Sequence, residues 1–412
     1  MVPRKRKTVL VQVNSLGLGG TQLNAVDLAL AVRDHGYDSV VFGPSRSLPT
    51  GRSLIDVGAE RGVEVRSYNV RPSVLAGGAR ELAVRARSVG ASVVHIYGTW
   101  AGARSAFWGA CLLARRPLVH TVYEMAVSPQ TYRHTALIVG TAYLRDSLTD
   151  RPGFTRLVSP PVDTDRDAEG AIDAAAFLHS IGSDLNQVRI GLVSRLDEDM
   201  KALSVETAIN AVRLLDDPRL RLVVAGDGDA YGRLRQLVDH VNRDAGRDVA
   251  SLVGEMWDPR PVYASSEVVL GMGGSAARAL AFGKPLVVQG QFGTSEVFNE
   301  DTANDLYSRS FWNDRPSDDP ARELAANLKT LLDDAERRGQ IGRFARSFAK
   351  QNFSLSAMAE RLAETYRVAE LSYRVRDWAA DLPLELRALT RRSPFESREP
   401  RFWARARRLD TP

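Results

Sequence analysis

Apolar residues in the first half of the chain fall into short unbroken runs, separated by stretches where they recur every three or four positions. Runs at 8–13, 39–42, 63–68, 92–96 and 117–122 read as strands, and 23–33, 51–60, 79–89 and 101–114 have helical spacing. A second alternating series begins at residue 188, with strands at 188–193, 220–225, 250–253, 267–270 and 285–288 and helices at 203–215, 231–242 and 276–282. Such alternation makes a parallel sheet covered on both faces. The expected fold class is α/β, as two Rossmann-like doubly wound domains facing a cleft.

Pro160 and Pro161 deny helix to residues 158–165 and extend the chain, as an interdomain linker requires. The pattern divides the sequence into an N-terminal domain at 1–165, a C-terminal domain at 166–369 and a helical, basic tail at 370–412. Amphipathic helices are expected at 321–338 and 354–370, with no strand after them.

Composition narrows the classes. The chain has 412 residues, 44% of them hydrophobic and 25% charged, and no uncharged apolar run that would span a membrane. Its one cysteine, Cys111, cannot close an intrachain disulfide and reads as a small buried hydrophobe, and no His/Cys cluster has zinc-ligand spacing. Arg4, Lys5, Arg6 and Lys7 resemble the charged part of a signal peptide, but the short apolar stretch behind them runs straight into a strand. A cytoplasmic protein is expected.

The net charge of +5 raises the question of nucleic acid, which the interspersed charges and the lack of any recognition motif argue against. Much of the excess lies in Arg387, Arg391, Arg392, Arg398, Arg401, Arg405, Arg407 and Arg408, with Phe402 and Trp403 among them. That segment either lies on anionic lipid as a peripheral contact or forms a solvated basic helix with its aromatics packed on the protein.

Candidate chemistry gathers where strands end. Arg195 follows the strand at 188–193 and Lys201 stands where the next helix begins, so a forked guanidinium and a mobile ammonium can converge on one anion, best a diphosphate. Asp197, Glu198 and Asp199 could instead pair with them on the surface. Gly226 lies in a glycine turn after the strand at 220–225. Gly254, Glu255 and Met256 follow the next strand, where backbone groups can read a flat base. Gly273, Gly274 and Ser275, read as an N-cap, open a short helix that carries Arg278. Open parallel sheets bind ligands at the carboxyl ends of their strands, so these turns are expected to share one crevice. In the first domain Gly19 and Gly20 lie at the first strand–helix turn, where a helix N-terminus faces an anion. The spacing there does not match a dinucleotide fingerprint. His95, Tyr97 and Trp100 lie at another strand end, either lining a cleft or, for His95, half-buried in the core.

The Gly19–Gly20 turn, the Pro-Pro-Val-Asp linker, the Ser-Arg-Leu-Asp run ending at Lys201, the Val-Val-Ala-Gly-Asp-Gly strand and the Ala-Leu-Ala-Phe-Gly-Lys-Pro segment occur in one order that resembles the GT-B glycosyltransferases of family 4. The likeness runs to about residue 370. It implies a retaining transferase that binds a nucleotide sugar in the C-terminal domain and an acceptor in the N-terminal one, with the last helices crossing back to the first domain. It implies further that Arg195 and Lys201 hold the diphosphate, that Gly19 and Gly20 close over donor phosphate and acceptor, and that the backbone at Glu255 and Met256 holds the base. Gln22 stands where an acidic residue is often found near the acceptor. No metal and no cofactor are then expected, the nucleotide sugar being a co-substrate.

Two departures from the family stand out. Its pair of glutamates around the last glycine loop is missing, with Arg278 at the second position, so Arg278 is expected as a third cation and Glu296 as a nearby carboxylate. The family's histidine near the reacting sugar is replaced by Tyr123, leaving His120 and Glu124 beside it as further catalytic candidates. Strand alternation would put His120 and Glu124 on one face and Tyr123 on the other, unless the strand ends first. The chemistry expected is front-face displacement, with the leaving diphosphate taking the acceptor's proton. The same fold also serves nucleotide-sugar epimerases, phosphorylase-like enzymes and non-catalytic nucleotide-sugar-binding proteins.

Overall fold

The computed structural model describes residues 6–69, 78–98, 100–124, 126–184 and 186–390, apart from the side chains at 100, 101 and 388–390. In the first half, β1 (Lys7–Gln12), β2 (Tyr37–Pro44), β3 (Glu64–Tyr68), β4 (Ala91–Tyr97), β5 (Leu118–Val122), β6 (Ala136–Val139) and β7 (Thr155–Leu157) form one parallel sheet in the order β3-β2-β1-β4-β5-β6-β7. In the second, β8 (Val188–Val193), β9 (Leu220–Ala225), β10 (Ala250–Gly254), β11 (Val268–Gly271), β12 (Leu286–Gln289) and β13 (Ser295–Val297) are ordered β10-β9-β8-β11-β12-β13, with only β13 antiparallel. Strand order reverses at β1/β4 and at β8/β11. Those two carboxyl ends are the places where a doubly wound sheet opens a crevice.

The two-domain α/β expectation holds, and the differences have local causes. β6, β7 and β13 are three or four residues long, too short to show a period. The helix expected at 321–338 is two helices, Pro320–Leu332 and Ala335–Asn352. Asp334 starts the second, its carboxylate accepting from the Arg337 amide at 2.8 Å.

The chain crosses between domains twice, and the two crossings are tied together. Val162 donates to the Phe353 carbonyl at 2.8 Å, and Leu355 donates back to Val162 at 3.1 Å. Past this tie the helix Leu355–Ser372 packs Met358, Leu362, Ala363 and Tyr366 into the core of the first domain, against Val9, Val26 and Val93. The boundary drawn at 369 thus falls inside a helix that completes the N-terminal core.

The first part of the tail docks on the same domain, through Val375–Ala380 and Leu382–Thr390. Buried Glu385 accepts from Arg104 Nε at 2.8 Å, Trp108 Nε1 at 2.7 Å and the Tyr132 hydroxyl at 2.6 Å. Glu385→Gln keeps the shape but removes the counter-charge of a buried guanidinium, and is expected to cost about 2 kcal/mol in urea unfolding of the full chain. Cys111 is buried beneath this tail, where burial pushes its thiol well above the usual range. Arg387 is described, whereas Arg391, Arg392, Arg398, Arg401, Phe402, Trp403, Arg405, Arg407 and Arg408 lie outside the described residues. Among the described residues no helix is long and apolar enough to cross a membrane.

Candidate functional site

The crevice of the second domain is built around the loop that leaves β8. Arg195 projects from it with 77% of its side chain exposed, 3.6 Å from Asp197. Lys201 caps the helix Ala202–Leu215, its ammonium 4.7 Å from the centre of the Trp312 ring. Burial pushes the Lys201 ammonium down to about 8, Asp197 opposing and Arg195 adding repulsion. The two cations therefore feel one another. Asp197, the ion-pair partner of Arg195, also accepts from the Met200 amide at 3.1 Å and so shapes the turn, while Glu198 is held by Arg233 at 2.9 Å.

A pH dependence follows. A lysine whose folded value lies near 8, below the usual 10.5, is charged below pH 8 and loses its proton as the pH rises past it. A bound diphosphate favours the charged form, so affinity is greatest below pH 8 and falls above it. The Kd for a nucleoside diphosphate is expected to be about ten-fold higher at pH 9 than at pH 7, and Lys201→Met should flatten that slope in calorimetry.

The turn after β9 clasps this loop. Gly226 has φ 152°, and a Cβ there would overlap the Ser194 carbonyl oxygen, while one on Gly228 would overlap that of Leu196. Leu196 donates to the Asp227 carbonyl at 2.9 Å, Ala230 to the Leu196 carbonyl at 2.9 Å, and Glu198 to the Asp229 carboxylate at 2.9 Å. Gly226 spends its own N–H on the Gly254 carbonyl at 2.8 Å. Expected as a donor contact, Gly226 instead lets two loops touch and fixes where Arg195 leaves the sheet.

Past β10, Glu255 is exposed and the Met256 side chain packs against Val223, Ala225 and Val262. The backbone and the Glu255 side chain are open there. Trp257, 62% exposed, carries the Arg52 guanidinium of the first domain 4.2 Å from its ring centre.

The glycine mouth after β11 differs in detail from expectation. Gly273, at φ 59°, and not Ser275, caps the helix Gly274–Ala281. Ser275 Oγ donates back to the Met272 carbonyl at 3.1 Å. Nothing lies within 4 Å of a Cβ built on Gly273 or Gly274, so the mouth is open. Arg278 donates through Nε to Asp167 at 2.9 Å, so the expected third cation is paired with a carboxylate that pins the linker. Glu296 lies at the sheet edge on β13, 3.7 Å from Arg309 and 3.5 Å from Arg315, lining a cavity of about 380 Å³ with Asn299, Thr302 and Arg337. Both arginines face its Oε2 at ion-pair distance, and that oxygen makes no hydrogen bond among the described residues.

Two residues that sequence reasoning missed stand beside the cations. Gln291, in a glycine-rich turn after β12, donates through Nε2 to the Asp199 carbonyl at 3.2 Å. Trp312 follows Ser310 and Phe311, both left-handed at φ 58° and 55°, and the Gly273 amide donates to the Phe311 carbonyl at 3.3 Å. The strand-end rule could have found Gln291. No periodic signal marks Trp312.

In the first domain Gly19 caps the helix Gly20–Ala31 and Gly20 is exposed, as the anion-facing turn requires. Gln22 is buried and donates to Asn14 Oδ1 at 2.6 Å, bracing the turn instead of offering itself to an acceptor. His95 is 0% exposed, with Nδ1 bonded to the Tyr366 hydroxyl at 2.8 Å and Nε2 to Thr121 at 2.7 Å. Tyr97 is also buried, its ring tilted by 34° against that of His95 with centres 4.3 Å apart. Neither lines a cleft. Trp100 begins a helix, and its side chain lies outside the described residues.

The strand that carries His120 ends at Val122, so alternation does not extend to Tyr123 and Glu124. His120 is 1% exposed, with Nε2 donating to the Gly98 carbonyl at 2.7 Å. Burial pushes His95 down to about 3 and His120 to about 4, so both rings are neutral near pH 7. His120 braces the Gly98 turn and is too enclosed to pass a proton to an acceptor. Tyr123 is half-buried, its hydroxyl without a hydrogen-bond partner among the described residues, and Glu124 is exposed.

With the geometry in place, comparison with known proteins adds the family of the crevice. Residues 187–334 match the family model described as Glycosyl transferases group 1. Among curated proteins none matches by sequence. The structure is similar to a glycosyltransferase from Rickettsia africae ESF-5, at TM-score 0.71 and 16% identity over 90% of this chain and 100% of that one. It is also similar to Anabaena Alr3699/HepE solved with UDP and glucose, at TM-score 0.65 and 18% identity over 87% and 99%. The pneumococcal O-GlcNAc transferase GtfA, solved with UDP and GlcNAc, aligns at TM-score 0.55 and 12% identity over 90% and 100%. The chain therefore has the two-domain GT-B fold of glycosyltransferases, and its crevice of Arg195, Lys201 and Gly273 lies within a domain that matches Glycosyl transferases group 1.

Proposed function

We propose that the protein is a family 4 glycosyltransferase that moves a sugar from a nucleotide-sugar donor to a hydroxyl of a small-molecule, lipid-linked or saccharide acceptor, with retention and without a metal, on the cytoplasmic side of the membrane. The observation that carries this is the convergence of Arg195 and Lys201 at the end of β8, next to the open glycine mouth of β11 at the switch point of the sheet. The complexes of HepE with UDP-glucose and of GtfA with UDP and GlcNAc support a nucleotide-sugar donor on this fold.

In this reading the anomeric carbon loses its bond to the β-phosphate oxygen and gains one to the acceptor oxygen on the same face. The acceptor proton passes to the departing diphosphate. Arg195, Lys201 and the helix N-termini at Gly20 and Gly274 neutralise the charge that builds there. With His95 and His120 enclosed and neutral, the leaving group is the base.

A thermal-shift screen against UDP, GDP, dTDP and their sugars is expected to single out one base, with a shift that grows with ligand concentration. Proton NMR of the product should show the donor's anomeric configuration. An inverted product would remove the front-face mechanism, and no shift with any nucleotide would remove the donor.

A further inference from the structure

The donor-binding crevice contains an unsatisfied buried group that the phosphate-binding role does not explain. Gln291 is 7% exposed and sits where three loops meet. Its amide nitrogen bonds the Asp199 carbonyl on the loop that carries the two cations, and its backbone N–H donates to the Asn313 carbonyl at 2.9 Å on the loop that carries Trp312. The other end of its side-chain amide, Oε1, is buried without a hydrogen-bond partner among the described residues. A buried acceptor left this way is destabilising, and a ligand hydroxyl would satisfy it.

Trp312 closes the same corner. Its ring lies under the Lys201 ammonium, and the turn before it is held in a strained left-handed form by the Gly273 amide and the Phe311 carbonyl. Two successive left-handed residues that are not glycine are strained and persist where the surroundings over-determine them. The turn brings the Trp312 ring to the lysine while its Phe311 carbonyl takes the Gly273 amide at the open mouth. A sugar is joined to a diphosphate through one oxygen, so a group in contact with the phosphate lysine is within a ring's width of that sugar.

We propose that Gln291 and Trp312 read the transferred sugar, the Gln291 side-chain oxygen accepting a hydrogen bond from one of its hydroxyls and the Trp312 indole walling its ring. This rests on the nucleotide-sugar reading above. It gives donor recognition to a neutral amide and an aromatic face where Arg278 and Glu296 are engaged by Asp167, Arg309 and Arg315. Sites for small ligands commonly combine aromatic walls with a few placed polar groups.

The test is calorimetric titration of the full chain with UDP, GDP and dTDP, each alone and as its glucose conjugate. Gln291→Leu and Trp312→Ala are each expected to weaken binding of the nucleotide sugar about ten-fold and to leave the free diphosphate within about two-fold. Trp312→Phe should keep most of the sugar's affinity, and thermal unfolding of each variant checks that it is folded. Equal losses for diphosphate and sugar would overturn the proposal, since the residues would then only brace the Lys201 loop. Unchanged binding in both variants would overturn it as well. Wild-type protein that binds no nucleotide at all would overturn the nucleotide-sugar reading and this proposal with it, and is told apart by needing no variant.

Discussion

Arg195→Ala and Lys201→Ala are each expected to lower kcat/KM for the nucleotide sugar about 100-fold, and the double variant about 1,000-fold or more, with the melting temperature moved by only a few degrees. The function-to-stability contrast comes from their surroundings. Arg195 is largely exposed and its ion pair to Asp197, at 3.6 Å, is worth under about 1 kcal/mol, so the fold loses little with it. Lys201 is held charged against the cost of burial, and removing it relieves that cost while giving up a contact with Trp312 of about 1 kcal/mol. Neither side chain is needed for folding as much as for an anion. Arg195→Lys should recover only part of the loss, because a point charge does not reproduce the bidentate fork. Initial rates of sugar release from the donor, measured beside thermal unfolding, separate the two quantities. Variants that turn over at wild-type rates would remove the diphosphate role.

What was legible in the sequence was local. β8 and β9 are bounded as their apolar runs predict, and Arg195 and Lys201 lie on one short loop whose geometry a strand–turn–helix pattern already implies. The misassigned residues share another property: their partners are distant in sequence. Arg278 meets Asp167 across 111 residues, and His95 meets Tyr366 across 271. No window of sequence shows that a free-looking arginine is already bonded, or that a histidine at a strand end will be roofed by a helix returning from the far end of the chain. Gln22 was closer, eight residues from Asn14, but its bond depends on the turn between them and not on a period. Gln291 and Trp312 come together only through a left-handed turn at Ser310 and Phe311, a conformation that these residue types do not advertise.

Gly226→Ala is expected to be the most damaging single methyl in the C-terminal domain, at about 4 kcal/mol or more of stability. Two costs add. The backbone at φ 152° is one that L side chains rarely adopt, and the new Cβ would lie inside the Ser194 carbonyl oxygen, a main-chain atom that no rotamer change can move. Relief requires the loop at 194–198 to lift from the Asp227–Asp229 turn, breaking the Leu196, Glu198 and Ala230 hydrogen bonds that aim Arg195. The variant should therefore lose nucleotide binding together with stability, unlike Arg195→Ala, which loses binding alone. Gly232→Ala is the control, because it lies six residues on, near the start of the helix Tyr231–Ala245, with open space around its Cβ. There alanine is expected to stabilise by about 0.5–1 kcal/mol. Urea unfolding followed by probes in each domain is the suitable measurement, since a two-domain chain need not unfold in one step. If Gly226→Ala unfolds at the wild-type midpoint and still binds nucleotide, the two loops do not touch as described, and the placement of Arg195 at the phosphate falls with them.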